Sequence, residues 1–291
     1  MKFEHLPTSN DTQTMIRISG LSQPTLLLHV TDSHMNATDS VEGYGTLSQS
    51  YVDYNFDEVE TRAHFEKALA FAAERQVDGV ALTGDIVNGA TVGNVAYLES
   101  RLGKLQAPIL YTPGNHDWEF PGEPWGEETR QAHVGKFARL AGGDPSFRVL
   151  ELNGILLIGI DNSTYQITQA QLDFYQAELE RGLPVLLFMH IPIYVPSLLK
   201  DVLHMWGSPI LLNAEDWDAE RMVQWQVKPA TEATRNFHRL LLDNPLGNLV
   251  GIFCGHVHFA HADALSRGSC QYVTKPGFQG GYRVIRLVPA D

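Results

Sequence analysis

The sequence predicts an α/β chain built on mixed sheets, and two observations carry that reading. Short apolar runs alternate along the chain with stretches of helical period, as where Thr25–Val30 precedes a helical pattern over 56–75 and a second apolar run over 77–83. The second half adds antiparallel character, because Phe147–Leu152 and Ile155–Ile160 flank Asn153-Gly154, a pair that favours a tight hairpin turn. A third feature ties the fold to chemistry: five of the apolar runs are followed at once by a polar cluster rich in Asp, Asn or His.

Taken in order, Thr25–Val30 reads as a buried strand ending in Thr31-Asp32-Ser33-His34. Residues 35–55 are polar, contain Gly43 and Gly45, and read as a loop. Residues 56–75 read as a helix, since Phe56, Val59, Phe65, Leu69 and Ala72 fall near one face. The strand over 77–83 ends in Gly84-Asp85. A helix over 95–105 leads through Pro108 to a strand from Ile109, which turns at Gly114 and delivers Asn115, His116 and Asp117 together. Residues 119–125 carry Pro121, Gly122 and Pro124 and read as loop, and 127–140 as a helix.

After the hairpin, 168–179 reads as a helix with Thr168 at its cap and Gly182 beyond its end. A strand over 184–189 delivers His190. Residues 191–228 are rich in Pro and Trp with no clear period, and stand as an irregular insert, a candidate cap or pocket wall. A helix over 230–242 precedes the strand Leu249–Cys254, which delivers Gly255-His256-Val257-His258. Strands over 270–274 and 282–288 close the chain, with Gly277, Gly280 and Gly281 between them. Without an internal repeat or a low-complexity linker, a single domain over 1–291 is expected.

Composition narrows the function. With 291 residues and 44% hydrophobic content the chain can bury a large core, and 19% charged residues is too few for a disordered chain. A net charge of −13 argues against non-specific binding to nucleic acid or an anionic membrane, since both need a basic face. Cys254 and Cys270 make no disulfide framework, and Cys254, inside an apolar run, reads as a packed strand thiol. Residues 1–20 lack the apolar stretch of a signal peptide and no run approaches transmembrane length, so a soluble cytoplasmic protein is expected.

The polar clusters carry the chemistry. Asp32 and His34 are two apart at a strand end, a spacing that sends both side chains to one side, and His256 and His258 repeat it. Asp85 adds a carboxylate, His190 an imidazole and Asn115 a neutral oxygen. An isolated Gly-Asn-His would be read as a polar turn; five clusters placed alike point instead to converging ligands. The set mixes hard oxygens with borderline nitrogens and contains no thiolate. It suits Mn, Fe, Zn or Co, with Mn, Fe or Zn foremost, and neither a zinc–thiolate site nor an all-oxygen calcium cage. Seven ligands are too many for one catalytic ion with open positions but suit two ions that share a carboxylate. Two divalent or mixed-valence ions about 3.5–4 Å apart are the usual arrangement for in-line phosphoryl displacement.

The order Asp-x-His, Gly-Asp, Gly-Asn-His-Asp, lone His and Gly-His-x-His, running from Asp32 to His258, closely resembles the calcineurin-like metallophosphoesterase superfamily. The resemblance implies a four-layer αββα sandwich of two mixed sheets with the metals at strand ends. It implies that Asp32, His34, Asp85 and His258 hold one ion, and that Asp85 bridges to a second completed by Asn115, His190 and His256. It gives His116 the role of protonating or stabilising the leaving oxygen, Asp117 that of orienting His116, and attack on phosphorus to a metal-bridging hydroxide. Purple acid phosphatases place Tyr three residues after the bridging Asp; Asn88 stands here, so no iron–tyrosinate is expected.

The reaction expected is hydrolysis of a small-molecule phosphate ester. A diester is slightly favoured, because no Arg or Lys lies near the motifs and only tertiary structure could bring in Arg130, Arg267 or Lys275. A phosphoprotein phosphatase, a nucleotide pyrophosphatase and a non-catalytic scaffold of the same fold are the alternatives. Asp161 and Asn162 read equally as a turn or as support for the site, and Trp206, Trp217 and Trp225 as a satellite core or a substrate platform. Tyr194 is close enough to His190 to line the pocket, and of the other histidines, read as surface or packed, His261 is the nearest to the site in sequence.

Overall fold

The computed structural model describes residues 1–36, 57–120 and 122–290. Among them the strands are β1 (Phe3–His5), β2 (Gln13–Ile18), β3 (Thr25–Val30), β4 (Gly79–Thr83), β5 (Ile109–Thr112), β6 (Phe147–Leu152), β7 (Ile155–Ile160), β8 (Val185–Phe188), β9 (Leu249–Cys254), β10 (His261–Ala264), β11 (Cys270–Val273) and β12 (Arg283–Pro289). The α-helices are α1 (Glu58–Arg75), α2 (Val92–Leu102), α3 (Glu127–His133), α4 (Ala138–Ala141), α5 (Gln169–Glu180), α6 (Pro196–Trp206), α7 (Ala219–Gln224) and α8 (Glu232–Asp243). Two mixed six-stranded sheets form, ordered β1-β2-β12-β3-β4-β5 and β10-β11-β9-β8-β7-β6.

Strand alternation builds the layers. Leu27, Leu110, Leu157, Leu186, Phe188, Val250, Phe253 and Ile285 meet between the sheets. Their neighbours Leu28, Val30, Val80 and Leu82 point the other way, onto Phe65, Leu69 and Leu98 of α1 and α2. On the second sheet Leu156, Ile158, Leu187 and Ile252 turn outward onto Leu172 and Tyr175 of α5 and Phe237 and Leu241 of α8. The result is the αββα sandwich. Strands β3, β4 and β5 run parallel to one another, and so do β7, β8 and β9, so the loops after β3, β4 and β5 leave one edge of the first sheet and those after β8 and β9 one edge of the second.

Several elements differ from expectation for identifiable reasons. The insert is helical in two places: Pro196 occupies the first turn of α6, where its missing N–H costs nothing, and Leu198 and Val202 face the second outer core. The helix expected over 127–140 is broken into α3, a 3₁₀ turn at Val134–Phe137 and α4, with Gly135 at the break. Thr91 caps α2, so that helix begins three residues earlier than expected. Strands β1, β2 and β10 have no counterpart in the sequence reading, because β2 alternates buried Thr14, Ile16 and Ile18 with the less buried Gln13, Met15 and Arg17 and β10 reads His-Ala-Asp-Ala. The expected loop over 35–55, and the part played by Phe56 and Pro121, lie beyond the described residues except at Met35 and Asn36.

His29 stands between the sheets, bonded to Thr83 through Nε2 (2.6 Å) and Thr274 through Nδ1 (2.9 Å), with the stacked rings of Phe188 and Phe253 edge-on to it. Burial, helped by the nearby Arg283 charge, pushes its pKa down to about 3. Between pH 6.5 and about 3 the unfolded chain therefore binds a proton at this residue that the folded chain does not, and stability falls as pH falls. In urea titrations of metal-free protein, His29→Gln should be less stable at pH 7.5. Below pH 6 its stability should fall less steeply than wild type, by up to about 1.4 kcal/mol per pH unit. Parallel pH dependences would show that His29 does not remain neutral.

Candidate metal centre

The loops at these strand ends are tightly shaped. Asp32 (φ 50°), His34 (48°), Asp85 (51°), His256 (71°) and His258 (62°) all occupy the left-handed region, a cost of order 1–3 kcal/mol each for non-glycine residues. Adjacent glycines allow the loops to interlock. A Cβ on Gly114 would lie 2.2 Å from Asp85 Oδ1, and one on Gly255 would lie 2.2 Å from Asp32 Oδ2. Backbone bonds fix the register: the N–H groups of Asp32 and His34 donate to the carbonyls of Gly84 (3.0 Å) and Asp85 (2.8 Å). His256 N–H donates to the Asp32 carboxylate at 3.0 Å, and His116 N–H to Asp85 Oδ1 at 2.8 Å.

Six of the seven expected ligands fall into two buried or nearly buried groups, Asp32–His34–His258 and Asp85–His190–His256. Within each, the candidate ligand atoms lie within 4.8 Å of one another. His34 Nε2 and His258 Nε2 are 3.2 Å apart, as are His256 Nδ1 and His190 Nε2. Asp32 Oδ1 is 3.4 Å from His258 Nε2, and Asp85 Oδ2 is 3.1 Å from His190 Nε2. Ligand atoms about 2.0–2.2 Å from a common ion stand about 3.0–3.5 Å from one another, so these spacings fit. Asp85 Oδ2 is also 3.8 Å from His34 Nε2, which places it between the groups. Asn115 sits between Gly114 and His116, and its buried Oδ1 has no hydrogen-bond partner among the described residues. A cation could satisfy such an orphaned oxygen.

The electrostatics agree. Burial alone would raise the Asp32 and Asp85 carboxyls, yet His258 and His190 hold Asp32 down to about 2, and His190 and His116 hold Asp85 well below its usual range. Burial opposes charge on His190, but Asp85 and Asp32 outweigh it and push that imidazole up to about 9. Burial keeps His34 down at about 3 and His256 well below the ordinary imidazole value, leaving lone pairs available. The outer nitrogens are occupied. His190 Nδ1 donates to the Thr83 carbonyl (2.8 Å) and His34 Nδ1 to Asn88 Oδ1 (2.8 Å), which turns Nε2 of each inward.

His116 stands beside these groups, its ring 5.2 Å from that of His34, and burial lowers its pKa. The carboxylate facing its Nδ1 is that of Glu119, at 3.3 Å, and burial pushes Glu119 up to about 8. Asp117, expected to orient His116, directs its two oxygens at the backbone N–H groups of Asp85, Ile86, Val87 and Gly114, from which they accept at 2.8–3.0 Å. It shapes the Asp85 turn. The equal spacing in Asp-x-His and His-x-His also has unequal outcomes, because left-handed backbone and not strand alternation aims these side chains.

A sequence model of calcineurin-like phosphoesterases matches residues 25–260. The chain belongs to that family. Solved structures of similar fold include a dimetal phosphatase from Danio rerio, 11% identical with a TM-score of 0.53, where the match covers 89% of this chain and 91% of that one. Another, from Thermus thermophilus, is 12% identical with a TM-score of 0.46, covering 87% and 90%. The phosphoesterase is thus a metal-dependent phosphoric ester hydrolase of a family that works with a dinuclear centre. Among the described residues no helix is long and apolar enough to cross a membrane.

Residues around the phosphoesterase centre that the sequence does not single out for support are Asn88, Glu119, Tyr165 and Phe278. Asn88, notable in the sequence only as the residue standing where a Tyr would be, also donates to the His34 carbonyl. Trp206 of the insert lies 5.2 Å from the His258 ring and donates to the Val257 carbonyl, while Phe278 packs on His258 at 5.1 Å. Asp161 pairs with Arg130, and Asn162 bonds both backbone groups of Ile191, next to His190. Tyr194 packs against His238, and His261 bonds Asp263. Replacing Asp117 by Asn should cost about 2–3 kcal/mol in urea denaturation, because an amide N–H₂ would then face buried donors. Glu119→Gln should leave stability close to wild type, and equal losses would mean that Asp117 has no special hold on the loop.

Proposed function

We propose that this phosphoesterase hydrolyses small phosphodiesters at a two-ion centre held by Asp32, His34, Asp85 and His258 on one side and by Asp85, Asn115, His190 and His256 on the other. The observation that carries the reading is the position of Asp85 Oδ2, which faces His190 at 3.1 Å and His34 at 3.8 Å and so reaches toward both groups. When bound, the ions supply Lewis acidity toward the phosphoryl oxygens and a water made nucleophilic at neutral pH; Mn, Fe or Zn suits the donors. The remaining chemistry belongs to the protein. His116, outside both groups and partly exposed, donates a proton to the departing ester oxygen, and Glu119 holds the imidazole through Nδ1. Asp117 keeps the turn beneath them fixed.

The choice of a diester follows from charge. Monoester specialists supply extra cations to a dianionic group. Arg130, one of the cations the fold could have delivered, is committed to Asp161 and Glu127, while Arg267 and Lys275 are exposed. The insert forms a wall beside the centre, with Trp206 on His258 and Trp217 bordering a cavity of about 310 Å³. Its aromatic character suits the organic part of a small ester better than a protein chain does.

Three measurements test the reading. Metal-reconstituted protein should hold two transition-metal ions per chain, and one or none would refute the ligand assignment. Bis-p-nitrophenyl phosphate should be turned over with kcat/KM at least equal to p-nitrophenyl phosphate under the same metal, and a clear monoester preference would overturn the diester assignment. His116→Gln should keep its metal and lose about 10²–10⁴-fold in kcat, more for esters with poor leaving groups. Equal losses for good and poor leaving groups would remove His116 as the proton donor.

A further inference from the structure

His256 differs from the neighbouring imidazoles in the nitrogen it turns inward. His34 and His190 direct Nε2 at the centre, with Nδ1 bonded to Asn88 and Thr83. His256 directs Nδ1, at 3.2 Å from His190 Nε2, and its Nε2 points away, 2.8 Å from the hydroxyl of Tyr165. The backbone dictates this. His256 N–H is bonded to the Asp32 carboxylate and φ is 71°, so the main chain already lies against the centre, and only the nearer ring nitrogen can face it.

We infer that Tyr165 is a positioning residue for metal binding, holding His256 so that Nδ1 is presented to the second ion. An imidazole that gives Nδ1 to a metal carries its proton on Nε2, and in this buried place that N–H needs an acceptor. The phenol oxygen supplies it. A hydroxyl also donates, so it satisfies Nε2 equally when the proton sits on Nδ1 and no ion is bound. A backbone carbonyl, as used for His190, accepts only and would serve one tautomer.

The chain spends conformational energy to put Tyr165 there. Its φ of 60° is a true outlier for a bulky residue, and its side chain is buried. The segment leading to it is tied on several sides: Asp161 to Arg130, Asn162 to the backbone of Ile191, and Ser163 to the indole N–H of Trp118. The ring stands edge-on to His256 at 5.5 Å and to Trp217 of the insert at 6.1 Å, so the phenol links the metal side to the wall of the 310 Å³ cavity. A tyrosine that merely filled the core would not need a left-handed backbone and four anchoring bonds.

The inference rests on the two-ion reading above, and the test separates the two. Zinc is titrated against a chelating indicator into metal-free wild type and Tyr165→Phe. Wild type binding fewer than two ions would sink the two-ion reading itself. With two ions bound by wild type, Tyr165→Phe is expected to keep one affinity and lose about 10–100-fold at the other, with a metal-free melting midpoint close to wild type. Unchanged affinity at both sites, or equal weakening of both, would overturn the positioning role. A measurement on wild type decides the matter even if the variant does not fold. In nitrogen-15 histidine spectra of the zinc-loaded protein, the His256 signals, assigned by their loss in His256→Gln, should show coordination through Nδ1 and a proton retained on Nε2. Coordination through Nε2 would overturn the inference.

Discussion

Two carboxylates, Asp32 and Asp85, remain ionised while almost wholly removed from water, and the surrounding structure is arranged to make that possible. Isolated buried carboxylates would neutralise. Here each is ringed by imidazoles and backbone N–H groups, and each is reached only because a glycine in the facing loop, Gly255 for Asp32 and Gly114 for Asp85, has no Cβ to intrude. The left-handed backbone at five ligand positions and the four N–H groups gathered by Asp117 are further parts of the same solution. Cations of adequate charge complete it.

The proposed donor set is divided between the sheets. The first sheet contributes oxygen donors, Asp32, Asp85 and Asn115, with His34; the second contributes only imidazoles, His190, His256 and His258. Neither sheet alone presents a balanced set, so the centre exists only when the sheets dock. Docking is driven by the apolar layer between them, where Leu27, Leu110, Phe188 and Phe253 lie beneath the loops. Cross-sheet bonds then set the register, from His190 to the Thr83 carbonyl, from His256 N–H to Asp32 and from Gly277 N–H to the Thr31 carbonyl.

Much of this is legible in the sequence because strand ends deliver side chains in a regular way. Thr25–Val30, Phe147–Leu152, Ile155–Ile160 and Leu249–Cys254 have the expected bounds, since each is an apolar run closed by a polar or glycine signal. What is not legible depends on contacts between distant segments. Asp117 looks like the partner of His116 because it follows it directly, yet the turn folds its side chain back beneath Asp85 and brings Glu119 to the imidazole. Nothing local marks Tyr165, 91 positions from His256, as the phenol that would meet Nε2. The helices of the insert are hidden because Pro196 reads as a breaker, whereas a proline in the first turn starts a helix.

The division of donors between sheets has a thermodynamic consequence. An ion held by oxygen from one sheet and nitrogen from the other binds the docked state and not the separated one, so its binding free energy adds to the stability of the sandwich. The strain is tolerated here for a separate reason. Five left-handed ligand residues would be a poor arrangement for the protein alone, and they persist because the interlocked glycines, the Asp117 turn and the inter-sheet core over-determine the loops before any ion arrives. A centre preorganised in this way does not have to assemble its ligands around the metal, so little of the ion's binding free energy is lost to ordering the loops.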